Sequence, residues 1–518
     1  MDAFVNDFIC IATAFVIAVF VAYFLTPVIA RLAVKVGAID RPDGHRKCQT
    51  HAVPRAGGVA VALAGVFAVA AVIGMLTPTD NPSSALLWHG LLPALSILIL
   101  VGIVDDVLTL TGIYKLIGQV LAVSVLVAAG TQFDRVSLFG ILIPLGDLRI
   151  PFTIFFCLGA INAFNLIDGA DGLASSIGAI ISLALGVITL SRGDMSAALI
   201  CFALAGALIG FLRHNISPAR VYLGDTGSML IGLIVAAVAI DCSIKQEAAF
   251  VLAVPLALCA IPLLDAAAAL VRRVTTGQSV FTPDRGHLHH ALLLRGWSVN
   301  KTVFAMTGLT AITCAGALAS FFTNRDLIAV AVAGGVLITL TVARVFGHVE
   351  VGLIASHSAS ITRSMLSRGS RGKSPDSERA VQLQGSRKWR NLWSALREAA
   401  PTYNLTGLTL QISMPHLHES FHASWKSNGS SAAQGGWRVA VPLKLEERKI
   451  GKLTLVGGSD GMQALADMRQ VLDFLDPLHA QIAELIDDEQ RVAAADWPAA
   501  APAPTFHLGH GRPLEPAS

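Results

Sequence analysis

The chain is 518 residues long, 54% hydrophobic and only 14% charged, with a mean hydropathy of +0.64. Soluble proteins carry about a quarter charged residues, so a soluble globular protein is excluded and an all-α polytopic membrane protein is expected. A formal net charge of +3, without a dense basic block, gives no electrostatic footprint for nucleic acid.

Apolar runs of about 20 residues recur through the first two-thirds of the chain, long enough to cross a hydrocarbon core of about 30 Å. About eleven transmembrane helices are predicted, at roughly 8–30, 57–76, 86–104, 115–129, 150–166, 173–190, 196–212, 227–240, 248–271, 302–322 and 326–347. The first follows acidic Asp2 and Asp7 with no basic residue before it, so it reads as a retained span and not a cleaved signal. The fourth and eighth are short and read as tilted or partly interfacial. The loop after the first span carries Arg31, Lys35, Arg41, Arg46, Lys47 and Arg55, and the loop after the ninth carries Arg272, Arg273, Arg285, Arg295 and Lys301. The opposite loops are poorer in Lys and Arg, so odd-numbered spans end in the cytoplasm, the N-terminus lies outside and the C-terminus inside. The seven cysteines (10, 48, 157, 201, 242, 259 and 314) form no C-x-x-C pair and read as small packing residues.

In chain order, the first chemistry-bearing motif is Asp105-Asp106, at the cytoplasmic end of the third span. Adjacent acids repel unless a cation compensates, so a divalent metal or a phosphate-binding lysine is expected, with Lys115 nearby; a solvated helix end is the alternative. Asn165-Leu-Ile-Asp168-Gly-Ala-Asp171-Gly172 follows the fifth span. Steps of three place three oxygen-bearing side chains on one face of a helical turn, with Gly169 and Gly172 leaving that face open to a ligand. An EF-hand is excluded, because the alternating acids and terminal glutamate are missing. Gly224-Asp225-Thr226-Gly227-Ser228 precedes an apolar helix. It reads either as an anion site with Asp225 as a metal ligand or as an ordinary N-cap. Asp265 falls before the cytoplasmic end of the ninth span, either as a functional intramembrane acid or as a partner for a neighbouring helix. Arg285 with His287, His289 and His290 reads as a phosphate and sugar clamp; zinc and a structural cluster are the alternatives.

Composition changes after about 350. Residues 1–350 form the membrane core, 351–388 read as a flexible linker, 389–490 as a soluble α+β module with a GAF-like order of elements, and 491–518 as a disordered tail. Leu408, Leu410, Ile412 and Met414 alternate as in a strand, as do Trp437, Val439, Val441, Leu443 and Leu445, with Lys449–Val456 pairing onto the latter. Leu465, Met468, Leu472, Leu475, Leu478, Ile482 and Leu485 follow helical spacing, and His416, His418 and His422 read as surface residues.

Taken together, these motifs resemble the polyprenyl-phosphate N-acetylhexosamine-1-phosphate transferases, the MraY/WecA-like glycosyltransferase family 4. The resemblance covers about residues 8–345. It rests on Arg46-Lys47…Pro54-Arg55-Ala56-Gly57-Gly58, Asp105-Asp106, Asn165…Asp168…Asp171, Gly224-Asp225-Thr226-Gly227-Ser228 and Pro283-Asp284-Arg285…His287-Leu288-His289-His290, in family order. The resemblance implies a transfer of sugar-1-phosphate from a UDP-sugar to undecaprenyl phosphate, with release of UMP and with Mg²⁺, or alternatively Mn²⁺, as cofactor. It implies Asp225, with Asn165, as metal ligands, and Asp105, Asp106, Asp168 and Asp171 as the catalytic acids. Lys47, Lys115, Asn165, Arg285, His287, His289 and His290 are implied to bind substrate. Whether an aspartate attacks phosphorus or deprotonates the acceptor stays open. One departure is visible: the family usually has a histidine two positions after the first-loop lysine, where this chain has Gln49, followed by His51.

The arginine-containing histidine motif is similar to the WecA-type branch, which implies UDP-GlcNAc as donor and initiation of O-antigen or exopolysaccharide in a bacterial inner membrane. UDP-MurNAc-pentapeptide is the alternative donor. A proton-coupled transporter is the alternative from another class, disfavoured because its acids would lie near the bilayer midplane. Membrane lipid is an expected partner and nucleic acid is not; a homodimer and a partner for the tail stay open.

Overall fold

The computed structural model describes residues 2–40, 52–75, 86–138, 141–244, 252–275, 286–352, 354, 377–384, 388–414, 419–427, 437–445, 448–458, 463, 465 and 469. The chain divides into two compact units, Met1–Ser370 and Arg371–Ser518.

The first unit is helical. Its helices are α1 (Asp2–Val36), α2 (Gly57–Met75), α3 (Leu92–Leu108), α4 (Gly112–Ala128), α5 (Arg149–Ile167), α6 (Leu173–Ser191), α7 (Met195–Asn215), α8 (Gly224–Ile244), α9 (Ala253–Leu258), α10 (Ala260–Thr275), α11 (Leu288–Leu293), α12 (Val299–Thr323) and α13 (Asp326–Val342). Two small antiparallel pairs, β1 (Ile39–Asp40) with β2 (Val53–Pro54) and β3 (Arg135–Leu138) with β4 (Ile141–Pro144), join them.

By length and composition, seven stretches are able to cross a membrane: Asn6–Val36, His89–Leu108, Gly146–Ile167, Leu173–Ser191, Met195–Asn215, Gly224–Cys242 and Val299–Thr323. Gly57–Ile73, Gly112–Ala128 and Asp326–Val342 are apolar but shorter. The ninth predicted span is not one helix: α9 stops at Leu258 and α10 starts at Ala260. Pro262 has no N–H to give to the carbonyl four residues earlier, and the Leu258 carbonyl instead faces the Cys314 thiol at 3.9 Å.

Helix α8 is the hub, buried on nearly all sides, whereas α1 is mostly exposed. Small residues let the backbones close up. A Cβ on Gly232 of α8 would sit 2.6 Å from the Ile161 Cα of α5, and one on Gly210 of α7 would sit 2.2 Å from the Val19 carbonyl oxygen of α1. Such glycines are how helices gain contact where lipid supplies no hydrophobic drive for association. Large apolar side chains such as Phe24, Phe67, Leu100, Phe155 and Phe304 remain on the outside.

The second unit holds a five-stranded antiparallel sheet in the order β5 (Ser377–Gln384), β7 (Glu419–Lys426), β6 (Leu405–Met414), β9 (Arg448–Gly457), β8 (Arg438–Leu445), with helix α14 (Lys388–Ala399). Strands β8 and β9 pair as expected, Val441 opposite Leu453 and Leu443 opposite Gly451. Three elements differ from the sequence reading. Strand β5 occupies part of the stretch read as linker and pairs with β7, Ala380 opposite Ala423. Helix α14 buries Trp389, Leu392, Trp393 and Leu396, an i, i+3, i+4, i+7 stripe inside a charged segment. Strand β7 alternates buried Phe421, Ala423 and Trp425 with His422 and Ser424. His422 is therefore a half-buried sheet residue, its pKa lowered by burial. His416, His418, the helical pattern beyond Leu465 and the tail 491–518 lie outside the described residues apart from single positions.

Candidate active site

The site forms where the ends of α3, α4 and α5 meet the start of α8. Gly224 opens α8 with φ +75°, and the Asp106 carboxylate of α3 covers the helix start. Asp106 Oδ1 accepts from the Asp225 N–H (3.0 Å), and Oδ2 accepts from the Thr226 N–H (3.3 Å) and hydroxyl (2.8 Å). A carboxylate at a helix N-terminus satisfies orphan donors and opposes the positive end of the dipole. Both amides are thus already occupied by the protein's own anion, which corrects the expectation that they stand free for a ligand's phosphate. The glycines here serve close packing. A Cβ on Gly58 would meet the Gly227 nitrogen at 2.1 Å, and one on Gly102 would meet the Thr226 Cα at 2.5 Å.

One residue before Asp106, Asp105 points elsewhere. Its Oδ1 accepts from the Leu110 N–H at 2.7 Å, and its Oδ2 lies 2.9 Å from Lys115 Nζ. Lys115, on the first turn of α4, also reaches Asp225 Oδ2 at 2.5 Å. Asn165 of α5 donates from Nδ2 to Asp225 Oδ1 (2.5 Å) and to the Ser228 hydroxyl (3.1 Å). Of the cations the sequence left open beside the acid pair, Lys115 meets Asp105 and Asp225, while Asp106 is held by the start of α8. The Asp225 side chain is 30% exposed against 6% for Asp105, so Asp225 is the carboxylate an incoming group can reach.

The three oxygen-bearing residues of the 165–172 motif do not share a helical face, because α5 ends at Ile167 and Asp168 departs from helical geometry with ψ 48°. Asn165 stays in the cluster with Asp225. Asp171 turns away and accepts from the Ala219 N–H at 3.0 Å. Asp168 keeps some accessible surface yet is densely surrounded. Desolvation and then the charges of Asp225, Asp106 and Asp171 hold its carboxyl well above the usual range, with Arg55 pulling the other way. Arg55 itself pairs with Asp40, and its backbone bridges to Tyr222.

The histidine segment reaches the same place from the other end of the chain. Asp265 of α10 accepts from His287 Nδ1 (2.9 Å) and the Leu288 N–H (2.8 Å), fixing the start of α11. The rings of His287 and His289 stack at 5.8 Å, and His289 and His290 lie 4.1 Å apart. His289 is buried, with both ring nitrogens lacking a hydrogen-bond partner. Burial, then the neighbouring His290, push its pKa down to about 3, so the ring is neutral, with Asp265 acting in the opposite direction. That ring covers Gly169: a Cβ there would sit 2.5 Å from His289 Nε2. Gly169 is needed for this approach and does not leave an open face.

Of the residues expected from sequence, Asp105, Lys115, Asn165 and Asp225 are in direct contact, with Asp106 behind them and Asp168, His289 and His290 alongside. Asp171 and His287 bind neighbouring protein groups. Lys47 and Arg285 lie outside the described residues. A second polar layer, outside every motif named from the sequence, lies beneath the cluster. Asn162 Nδ2 donates to Gln119 Oε1 (2.9 Å), and Gln119 Nε2 faces Met229 Sδ at 3.4 Å. The signal was available as spacing, since these residues lie three or four positions from Asn165, Lys115 and Asp225 and so one turn beneath them.

Among the described residues, no group of three or more His, Cys, Asp or Glu side chains is arranged to hold a metal. The reachable donors are the Asp225 carboxylate oxygens, with the Asn165 amide beside them. That set fits a hard cation such as Mg²⁺, which commonly takes one or two carboxylates and completes its shell with water and phosphate oxygens.

Comparison with known proteins points in one direction. Residues 88–243 match glycosyl transferase family 4. The chain is 30% identical over 298 residues to a probable undecaprenyl-phosphate N-acetylglucosaminyl 1-phosphate transferase of Bacillus subtilis, covering 57% of this chain and 81% of that protein. It is 34% identical over 349 residues to the decaprenyl-phosphate N-acetylglucosaminephosphotransferase of Mycobacterium tuberculosis, covering 60% and 83%. It is 33% identical over 337 residues to a phospho-N-acetylmuramoyl-pentapeptide-transferase of Clostridium perfringens, covering 60% and 98%.

Proposed function

This chain belongs to the polyprenyl-phosphate N-acetylhexosamine-1-phosphate transferases, multi-pass membrane phosphotransferases of glycosyl transferase family 4, and from that premise we propose that it transfers N-acetylglucosamine-1-phosphate from UDP-N-acetylglucosamine to undecaprenyl phosphate. A phosphate oxygen of the lipid bonds to the sugar-bearing phosphorus, the bond to the uridylyl phosphate breaks, and UMP leaves. The observation that carries the reading is the single lysine held between two carboxylates from distant helices, Asp105 and Asp225, with Asn165 completing the contact.

Phosphoryl transfer needs little covalent help from a protein; it needs phosphates held in line and their charge offset. Lys115 supplies a fixed positive charge for a phosphate oxygen, while Asp105 orients it. Asp168, with its carboxyl held high, is suited to hold a proton beside the acceptor phosphate. Neutral His289 turns Nε2 toward Gly169 and has no hydrogen-bond partner on either ring nitrogen, which leaves it able to contact a sugar or nucleotide. Asp225, with Asn165 beside it, is the proposed ligand of Mg²⁺, with Mn²⁺ as the alternative. When bound, that ion would neutralise diphosphate charge.

We place the site on the cytoplasmic face of a bacterial inner membrane, under about eleven spans with the N-terminus outside, on the basic-residue bias of the loops. Initiation of a cell-surface polysaccharide follows from such a product. A muramoyl-pentapeptide donor is the second reading, favoured by the length of the match to the Clostridium relative. The test is purified protein with undecaprenyl phosphate, Mg²⁺ and a panel of UDP-sugars. UMP and a lipid-diphospho-sugar should appear in equal amounts, fastest with UDP-N-acetylglucosamine, and chelator should stop both. Asp225→Asn should lower turnover by a factor on the order of 10² or more. UMP release without the lipid product would refute the reaction.

A further inference from the structure

We propose that Glu350, on the segment after α13, is a positioning residue for the donor-facing histidine segment and acts through the Arg272 guanidinium. The proposal rests on the reading above that this segment meets the UDP-sugar.

Helix α10 buries one seam, Asp265, Ala268, Ala269 and Arg272, at the i, i+3, i+4, i+7 spacing of a single face. Its two polar members bracket the start of the histidine segment. Asp265 takes the His287 ring and the Leu288 amide. Arg272 lies against Gly286, immediately before His287, so closely that a Cβ on Gly286 would be 2.5 Å from the guanidinium carbon. The segment is therefore held at two points on one helix face.

The second point depends on a residue far from the chemistry. Arg272 is buried, and a guanidinium cannot shed its proton, so it stays in place only beside an anion. Glu350, also buried, is ion-paired to Arg272 Nη1. It comes from beyond α13, on the stretch that leads toward the second unit. Without that carboxylate the buried guanidinium loses an anionic partner beside Gly286, and one of the two anchors of the segment on α10 is weakened. His289 would then lose its register over Gly169.

The experiment compares the full chain with Glu350→Gln in detergent, with Glu350→Asp as a second variant that keeps the charge and folds if the amide does not. Hydrogen–deuterium exchange of peptides covering 286–293 should rise about fivefold or more in Glu350→Gln and by less in Glu350→Asp. KM for the UDP-sugar should rise about tenfold while KM for undecaprenyl phosphate stays within about twofold. Unchanged exchange in 286–293 overturns the proposal, as does a rise in both KM values together, which a general loosening of the fold would produce. The exchange result needs no substrate. Wild-type protein that releases no UMP from any UDP-sugar sinks the reaction, while exchange still decides whether Glu350 holds the segment.

Discussion

Asp106→Asn separates a capping role from a chemical one. Three hydrogen bonds converge on this buried carboxylate, all from the first turn of α8. Asparagine keeps the shape and one acceptor oxygen but turns an NH₂ group toward donors, leaving one of the three unsatisfied at about 1–3 kcal/mol. It also removes the anion from the helix N-terminus, worth up to about 2 kcal/mol in a partly buried setting. These terms overlap, so the expected loss is about 2–3 kcal/mol, close to the upper range of measured cap deletions. Thermal melts of detergent-solubilised protein in chelator should show a drop of several degrees. Thr226→Val, which removes only the hydroxyl partner, should cost about 1 kcal/mol, and the double variant should be less destabilised than the sum by about 0.5–1 kcal/mol. Turnover should fall as well, because Asp225 sits on the same turn and a displacement near 1 Å can cost about 10²-fold. A variant that melts like wild type yet is inactive would refute the reasoning, since Asp106 would then act on substrate and not on the helix.

Two further outcomes follow from the same contacts. Gly169→Ala puts a Cβ 2.5 Å from His289 Nε2, so the ring must move; KM for the UDP-sugar should rise about tenfold, and the effect should vanish when His289 is already alanine. Asp168 has its pKa raised in the folded protein, so the native state holds a proton that the unfolded chain has released. Stability of the metal-free protein should therefore fall as pH rises from the unfolded value of about 3.9 toward the raised folded one. Asp168→Asn should flatten that part of the pH profile of melting while abolishing turnover, and an unaltered profile would refute the shift.

The helices were legible because lipid-facing chemistry is monotonous: a long apolar run has few other fates, and α5, α6, α7 and α12 begin and end close to where hydropathy placed them, whereas α8, read as short and partly interfacial, is a buried helix of 21 residues. The break between α9 and α10 was harder to see, since Pro262 lies inside an apolar run whose composition does not change. In the second unit, α14 and β7 escaped notice because their apolar residues are spread among Lys, Arg, Ser and His. Burial there is decided by partners across the sheet, such as Leu410 opposite Ala423.

By itself the sequence determined which residue types could meet phosphate, since adjacent acids, a nearby lysine and a histidine triplet at the ends of apolar runs have few inexpensive alternatives. Which acid does what was decided only by the tertiary structure. Asp105 and Asp106 are neighbours in the chain, yet successive side chains on a helix diverge by about 100°. One therefore turns to Lys115 and the other to the first turn of α8. Gly169 likewise reads as open space until the chain returns more than a hundred residues later and lays the His289 ring across it.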